Sequence, residues 1–113
     1  MANCIFCSII EGNIPSTKVY EDEQCVAFRD IAPQAPQHIV LIPRRHIASI
    51  DALTPDDAAL AGHMMAVVPV IAASCGLSRG YRVVTNVGEH GAQTVQHLHF
   101  HIIGGAQLGE KLA

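Results

Sequence analysis

The chain has no tryptophan, and only three phenylalanines and two tyrosines among its 113 residues. Charge is also scarce: 15% of residues are charged, with a net charge of −3 when histidine is neutral. A nucleic-acid groove needs clustered Lys and Arg. Seven such residues in an acidic chain do not supply one, so no nucleic-acid partner is expected and any phosphate contact must be local. No apolar run reaches the ~18 residues of a membrane span, so no membrane partner is expected. The first residues show no basic region followed by a long apolar stretch, so no secretion signal is expected, and a cytoplasmic location is. Without export, the four cysteines Cys4, Cys7, Cys25 and Cys75 read as free or metal-bound thiols and not as disulfides. There is no repeat, low-complexity tract or domain boundary. Residues 1–113 read as a single domain, burying about two-thirds of the unfolded surface. Half of the residues are hydrophobic, which is apolar for so small a domain. Part of that surface is expected to meet a second subunit.

What the chain does have is histidine. Three of its seven histidines fall in His97-Leu98-His99-Phe100-His101-Ile102-Ile103, closed by Gly104 and Gly105. Alternation with period two reads as a half-buried β-strand, with the three imidazoles on one face and Leu98, Phe100 and Ile102 in a core. Neutral imidazole needs partners at both nitrogens when buried. Three readings fit: a solvent-facing polar edge, a metal site built on His-x-His, or phosphate chemistry. In the last, one imidazole attacks while its neighbours hold charge and pass protons near neutral pH.

Along the chain, Cys4–Ile10 suggests a brief helix or turn, closed by Gly12 and broken by Pro15. Lys18–Glu23 and Cys25–Asp30 read as a hairpin. Pro33 and Pro36 force an extended loop, and His38–Pro43 is a buried strand. Thr54 is a good N-cap, with Pro55 at the first helical position and Asp56-Asp57 at the helix's positive end. That helix should run to about Cys75, with Gly76 after it and a kink or loosening at Pro69. Tyr81–Val87 is a further strand. Gly88–Gln96 is a glycine-bearing turn, whose exposed amides could cradle an anion. Strands joined by short turns, with one main helix, indicate an α+β fold with an antiparallel sheet. Cys4-x-x-Cys7 is either two buried thiols, a redox pair lacking its usual βαβ setting, or half of a tetrahedral zinc site for which His46 and His97 are candidate partners.

His-Leu-His-Phe-His-Ile-Ile resembles the signature of the histidine triad (HIT) family. The resemblance extends to Cys4–Ile10, to Phe28–His38, to Ile42-Pro43-Arg44-Arg45-His46, to Tyr81–Asn86 and to Ile103-Gly104-Gly105. It implies a five-stranded antiparallel sheet with one long helix and a short N-terminal helix, joined across a homodimer into a continuous two-subunit sheet. It also implies a purine-nucleoside phosphoramidase or nucleotide hydrolase that cleaves AMP or GMP from an amine or similar leaving group through a nucleotidyl-histidine. On that reading His99 is the nucleophile and His101 binds the α-phosphate and helps move protons. His97 orients its neighbour or holds zinc. His38 matches a family position near the nucleophile, while on its own terms it is a satisfied histidine at a strand start. A third histidine in the triad is similar to members that hydrolyse the intermediate.

The same resemblance implies that Asn86, Gln93 and Thr94 contact the phosphate or leaving group, with the Thr94 hydroxyl able to protonate a departing amine. Asp30 would bind the ribose hydroxyls, though by itself it reads as a turn residue ahead of Pro33. Ile5, Phe6, Ile9, Ile31 and Val40 would enclose the base and discriminate weakly between purines. Cys4, Cys7, His46 and His97 would hold a structural zinc, and catalysis would need no cofactor. The chain departs from the family pattern twice. Alanine stands second in Gly91-Ala92-Gln93-Thr94, where members usually read Gly-Gln before the hydroxyl residue. The tail Gly105–Ala113 is unlike the common forms, so it sets no leaving-group preference. Three other functions are carried forward: a diadenosine polyphosphate hydrolase, a nucleotide-binding regulator or scaffold with incidental hydrolysis, and a hydrolase with catalytic metal on the triad.

Overall fold

The computed structural model describes residues 3–112. Their elements are α1 (Ile5–Ile10), β1 (Lys18–Glu21), β2 (Cys25–Arg29), β3 (Gln37–Pro43), α2 (Ala58–Ser74), β4 (Tyr81–Val84) and β5 (Phe100–Gly104). The strands form one antiparallel sheet in the order β1-β2-β3-β5-β4. This is the α+β, five-stranded architecture, with one long and one short helix, that the motifs imply.

Period-two alternation sorts the side chains of β2, β3 and β5 onto two faces. Cys25, Ala27, Ile39, Leu41, Leu98, Phe100 and Ile102 pack beneath α2, on its buried residues Met64, Val67, Val68, Ile71 and Ala72. Val26, Phe28, Val40 and Ile42 lie on the opposite face, with Cys4, Phe6, Cys7 and Ile9 of the N-terminal segment. Covering both faces explains why β3 is apolar at four consecutive positions. It also places the histidines on the α1 side, since Val40 pairs with His101 across β3 and β5.

With the 3₁₀ turn Pro55–Asp57 that leads into it, α2 is long and apolar enough to cross a membrane by composition. Its five buried residues instead recur at helical spacing against the sheet, as a core helix does. The Thr54 N–H donates to the Asp57 carboxylate at 2.9 Å, Arg45 pairs with Asp57, and the helix runs through Pro69 to Ser74. Apolar residues also stand outward: Met65 and Val70 on α2, Tyr81 and Val83 on the edge strand β4.

Four expected strands come out shorter, β2 by one residue, ending at Arg29. β1 stops at Glu21 because Asp22 leaves the ladder to cap the hairpin turn, accepting from the Gln24 and Cys25 N–H groups at 2.7 and 2.8 Å. β4 ends at Val84 and β5 begins only at Phe100. His97 and His99 therefore precede the ladder. The alternation persists through them because Leu98 and Phe100 keep their places in the core.

Candidate functional site

Hydrogen bonds assign a role to each nitrogen of the triad. The His97 Nε2 lies 2.8 Å from the Pro43 carbonyl, which can only accept, so Nε2 carries the proton and Nδ1 presents a lone pair. That lone pair faces sulfur, 3.4 Å from Cys4 Sγ and 3.6 Å from Cys7 Sγ. His46 Nδ1 lies 3.3 Å from Cys7 Sγ, and the four ligand atoms all lie within 4.8 Å of one another. A tetrahedral ion with bonds of ~2.3 Å to sulfur and ~2.05 Å to nitrogen holds S and N about 3.5 Å apart. The observed spacings bracket that value, and the Pro43 carbonyl supplies the outer contact that orients a ligating imidazole. The four residues fit a closed zinc site.

Burial, and then the adjacent Cys4 thiol, push the Cys7 thiol up. Burial pushes the His97 imidazole down. Both shifts favour the neutral Cys7 thiol and the neutral His97 ring, and binding an ion would displace thiol protons.

His99 is built the other way round. Its Nδ1 lies 2.7 Å from the His97 carbonyl, so Nδ1 donates and Nε2 keeps the lone pair. No described residue takes that Nε2. No side-chain nitrogen or oxygen among the described residues is both fully enclosed and unpartnered. The open part of this 5%-exposed ring therefore includes Nε2. Phe6 meets the ring edge-on at 5.0 Å between centroids, and His101 lies 4.9 Å away.

His101 completes a relay. The Gln34 N–H donates to His38 Nδ1 at 3.0 Å, so His38 is protonated at Nε2. That nitrogen donates to His101 Nδ1 at 2.8 Å, which leaves the His101 Nε2 as an N–H donor. Burial, helped by His99 and His38, pushes the His101 imidazole down to about 4 against the pull of Asp30. It is neutral at physiological pH. Asp30 Oδ2 stands 3.5 Å from His38 Nε2. One shelf thus carries a lone pair on His99, an N–H on His101 and a carboxylate on Asp30.

The other proposed residues divide. Phe6, Ile9 and Val40 are packed together on the α1 face. Ile5 is half-exposed, and Ile31 is 99% exposed, so it encloses nothing within one chain. Thr94 lines a cleft of about 430 Å³ with Cys4, Ile5, His46 and Gln96. Gln93 is spent on the fold. Its amide donates to the Ala48 and Val95 carbonyls at 2.7 and 3.0 Å and accepts from the Gly88 N–H at 3.1 Å. Asn86 donates to the Gly91 carbonyl at 2.7 Å. A Cβ on Gly91 would lie 2.3 Å from the Val87 carbonyl oxygen, so glycine is required there. Ala92 is the only non-glycine with positive φ among the described residues, at 58°. A second cleft, about 440 Å³, lies by Arg79, Arg82 and Gln107 and contains no histidine.

Sequence reasoning missed Thr85, whose hydroxyl donates to the His99 carbonyl at 2.8 Å. A threonine at a strand end carries no signal of that contact. It also missed a second meeting of Asp, Cys and His, at Asp22, Cys25 and His63, because its members lie on separate elements.

A protein with this sheet and this histidine shelf has the fold of the HIT proteins. Residues 3–112 match the family model described as the scavenger mRNA decapping enzyme C-terminal binding domain. The chain is 52% identical over 104 residues to an uncharacterised HIT-like protein of Synechococcus elongatus, covering 92% of this chain and 91% of that one. Among solved structures it superposes on a HIT family hydrolase from Clostridium thermocellum with a TM-score of 0.96 and 39% identity, covering 100% and 99% of the two chains. It superposes on a histidine triad nucleotide-binding protein from Candida albicans with a TM-score of 0.81 and 32% identity, covering 98% and 87%. The chain belongs to the histidine triad family and has the fold of its hydrolases.

Proposed function

We propose that this protein is a nucleotide hydrolase that cleaves AMP or GMP from an amine or similar leaving group through a covalent nucleotidyl-histidine on His99. The observation that carries this reading is the donation from His99 Nδ1 to the His97 carbonyl at 2.7 Å. In the neutral ring this bond leaves the lone pair on Nε2. In the first step Nε2 attacks the α-phosphorus, the P–Nε2 bond forms, the P–N bond breaks, and the leaving amine departs with an added proton. In the second, water attacks phosphorus, P–Nε2 breaks, and the water proton leaves through the shelf. His101 Nε2–H donates to a non-bridging oxygen as charge develops there. His38 holds His101 in that tautomer. Asp30, on the same shelf, suits the ribose hydroxyls. The Thr94 hydroxyl, exposed on its cleft, is the available donor for the departing amine.

Cys4, Cys7, His46 and His97 would hold a structural zinc. Bound there, an ion would cross-link the N-terminal segment to the start of the histidine run, and four protein ligands would leave it no open position. A homodimer fits the outward apolar residues Met65 and Val70 on α2 and Tyr81 and Val83 on edge strand β4. Pairing of two β4 edges would extend the sheet across both subunits.

The test is an acid quench with labelled adenosine phosphoramidate. Label should map to His99, and His99→Ala should cut turnover by ~10³-fold or more while the chain stays folded. Unlabelled His99, or undiminished turnover by the variant, rejects the role. Faster cleavage of a diadenosine polyphosphate than of the phosphoramidate would move the leaving group from amine to nucleotide.

A further inference from the structure

The ladders that hold β5 stop short of the reactive residue. β3 pairs no further than Leu41 with Phe100, and β4 no further than Val84 with His101. His99 lies one residue outside the β3 ladder and two outside the β4 ladder. Three contacts hold the chain there instead. The Leu98 N–H donates to the Ile47 carbonyl at 2.6 Å, the His99 ring donates to the His97 carbonyl at 2.7 Å, and the Thr85 hydroxyl donates to the His99 carbonyl at 2.8 Å. Of these, only the last is made by a side chain from another segment, Thr85 just past the end of β4, and it acts on the backbone of His99 itself.

We propose that Thr85 is a positioning residue: its hydroxyl replaces the missing ladder bond and fixes the backbone from which the His99 imidazole is aimed. Donation from a ring to the carbonyl two residues earlier depends on the φ and ψ of the residues between; the Leu98 N–H bond to Ile47 holds one side of His99, and the Thr85 hydroxyl holds its carbonyl on the other. With the anchor, Nδ1–H stays on the His97 carbonyl and Nε2 keeps its lone pair. Without it, the His99 carbonyl loses a partner, the peptide can turn, and the ring samples the other tautomer, in which Nε2 is protonated and cannot attack. The effect on rate rests on His99 being the nucleophile; the effect on the ring does not. A shift of about 1 Å in a reacting group can cost about 100-fold in rate. The Thr85 hydroxyl is spent on the His99 carbonyl, so binding should be spared.

The test compares Thr85→Val, which keeps the β-branched shape and strand propensity but removes the hydroxyl, with Thr85→Ser, which keeps the hydroxyl. Two readouts are taken at neutral pH. One is kcat and KM on adenosine phosphoramidate. The other is the ¹⁵N histidine spectrum, with the His99 signal assigned by its loss in His99→Gln. Thr85→Val should lower kcat by about 10- to 100-fold with KM within about 3-fold, and should shift the His99 nitrogens away from the Nδ1–H pattern. Thr85→Ser should restore both. An unchanged His99 spectrum in Thr85→Val overturns the proposal whatever happens to the rate, and so does a loss that Thr85→Ser fails to restore. If the wild-type chain turns over no nucleotide, the proposed function fails, and the spectrum alone still decides Thr85.

Discussion

Two places in this fold bring histidine and cysteine together, and they are built on opposite plans. At Cys4, Cys7, His46 and His97 the ligand atoms surround a common centre. The sulfur–nitrogen contacts are 3.3 to 3.6 Å, and no carboxylate lies among the four. At Asp22, Cys25 and His63 a carboxylate oxygen sits in the middle. Asp22 Oδ2 accepts from Tyr20 Oη and from His63 Nε2 at 2.7 Å each, and from Cys25 Sγ at 3.6 Å, while Oδ1 takes the two turn amides. Similar residue types form a cage of a size that could hold a metal ion in one place and a hydrogen-bond hub in the other. The difference is whether an acceptor within the group already satisfies the donors. Proximity of Cys and His alone does not separate the two cases.

Breaking the cage should have the larger effect. Cys7→Ser removes one of four ligands, and structural zinc in small domains contributes ~10 kcal/mol or more to folding. Bound zinc, measured by elemental analysis after dialysis, should fall well below one per chain. Stability in urea should drop by ~3 kcal/mol or more, and strong chelator should reproduce that drop in the wild type alone. A wild type that purifies without metal, and is indifferent to chelator, would reduce the cage to a pair of buried thiols with two imidazoles.

The hub should respond differently. Asp22→Asn keeps the shape but turns part of the acceptor into a donor facing three donors. The expected cost is about 2 kcal/mol in urea unfolding, with zinc content unchanged. Burial raises the Asp22 carboxyl, but hydrogen bonds from Tyr20, the Gln24 N–H, His63 and the Cys25 N–H outweigh it and hold the group well below the usual carboxylate range. A depressed folded pKa means that the unfolded chain binds more protons in acid. The Asp22 contribution is therefore complete above ~3.9 and lost as pH falls below it. Its hydrogen bond to Asp22 also pushes Tyr20 up to about 12. That part is lost as pH rises from ~10, where the unfolded phenol ionises, towards 12. Burial, and then Asp22, also push the Cys25 thiol up to about 12, so that part is lost as pH rises from ~8.5, where the unfolded thiol ionises. Between ~3.9 and ~8.5 these three contributions are flat with pH, whereas zinc binding at the cage would weaken steadily on acidification because its ligands must shed protons. Stability curves of the two variants should separate on that basis. A metal loss in Asp22→Asn would show that the sites are coupled.

Much of this was legible in the sequence. The alternation from His97 to Ile103 identified a core face and a histidine face, because Leu98, Phe100 and Ile102 could not all be left in water. The Thr54-Pro55 start and Gly76 end bounded the helical stretch, since caps are chemistry of single positions, but its first turn, Pro55–Asp57, is 3₁₀ and α2 begins three residues later at Ala58. The strand ends were not legible. Ladder bonds are made by backbone, and nothing in His97 or His99 says that their amides pair with no strand. The hub was illegible for a related reason: Asp22 and Cys25 are neighbours, but His63 reaches them only through the packing of α2 on the sheet. Ile31 shows the converse. A place assigned by resemblance is 99% exposed in a single chain, and no local pattern carries that fact.

The smallest effect comes from a residue that shares no side-chain partner with the hub, and it therefore calibrates the other two. Ala92 holds φ at 58°, which costs a side chain ~1 to 2 kcal/mol and costs glycine almost nothing. Glycine gives back part of that advantage, ~0.5 to 1 kcal/mol, through the greater freedom of the unfolded chain. Ala92→Gly should stabilise by about 0.5 to 1 kcal/mol in urea unfolding. No hydrogen bond is lost, since the Ala92 N–H to the Glu89 carbonyl at 3.0 Å is a backbone contact. The gain should add to the Asp22→Asn loss within about 0.5 kcal/mol, as independent sites do. Destabilisation by glycine would mean that the Ala92 methyl packs on something that outweighs its backbone strain. Non-additivity with Asp22→Asn would mean that this turn and the hub open together, as one unit.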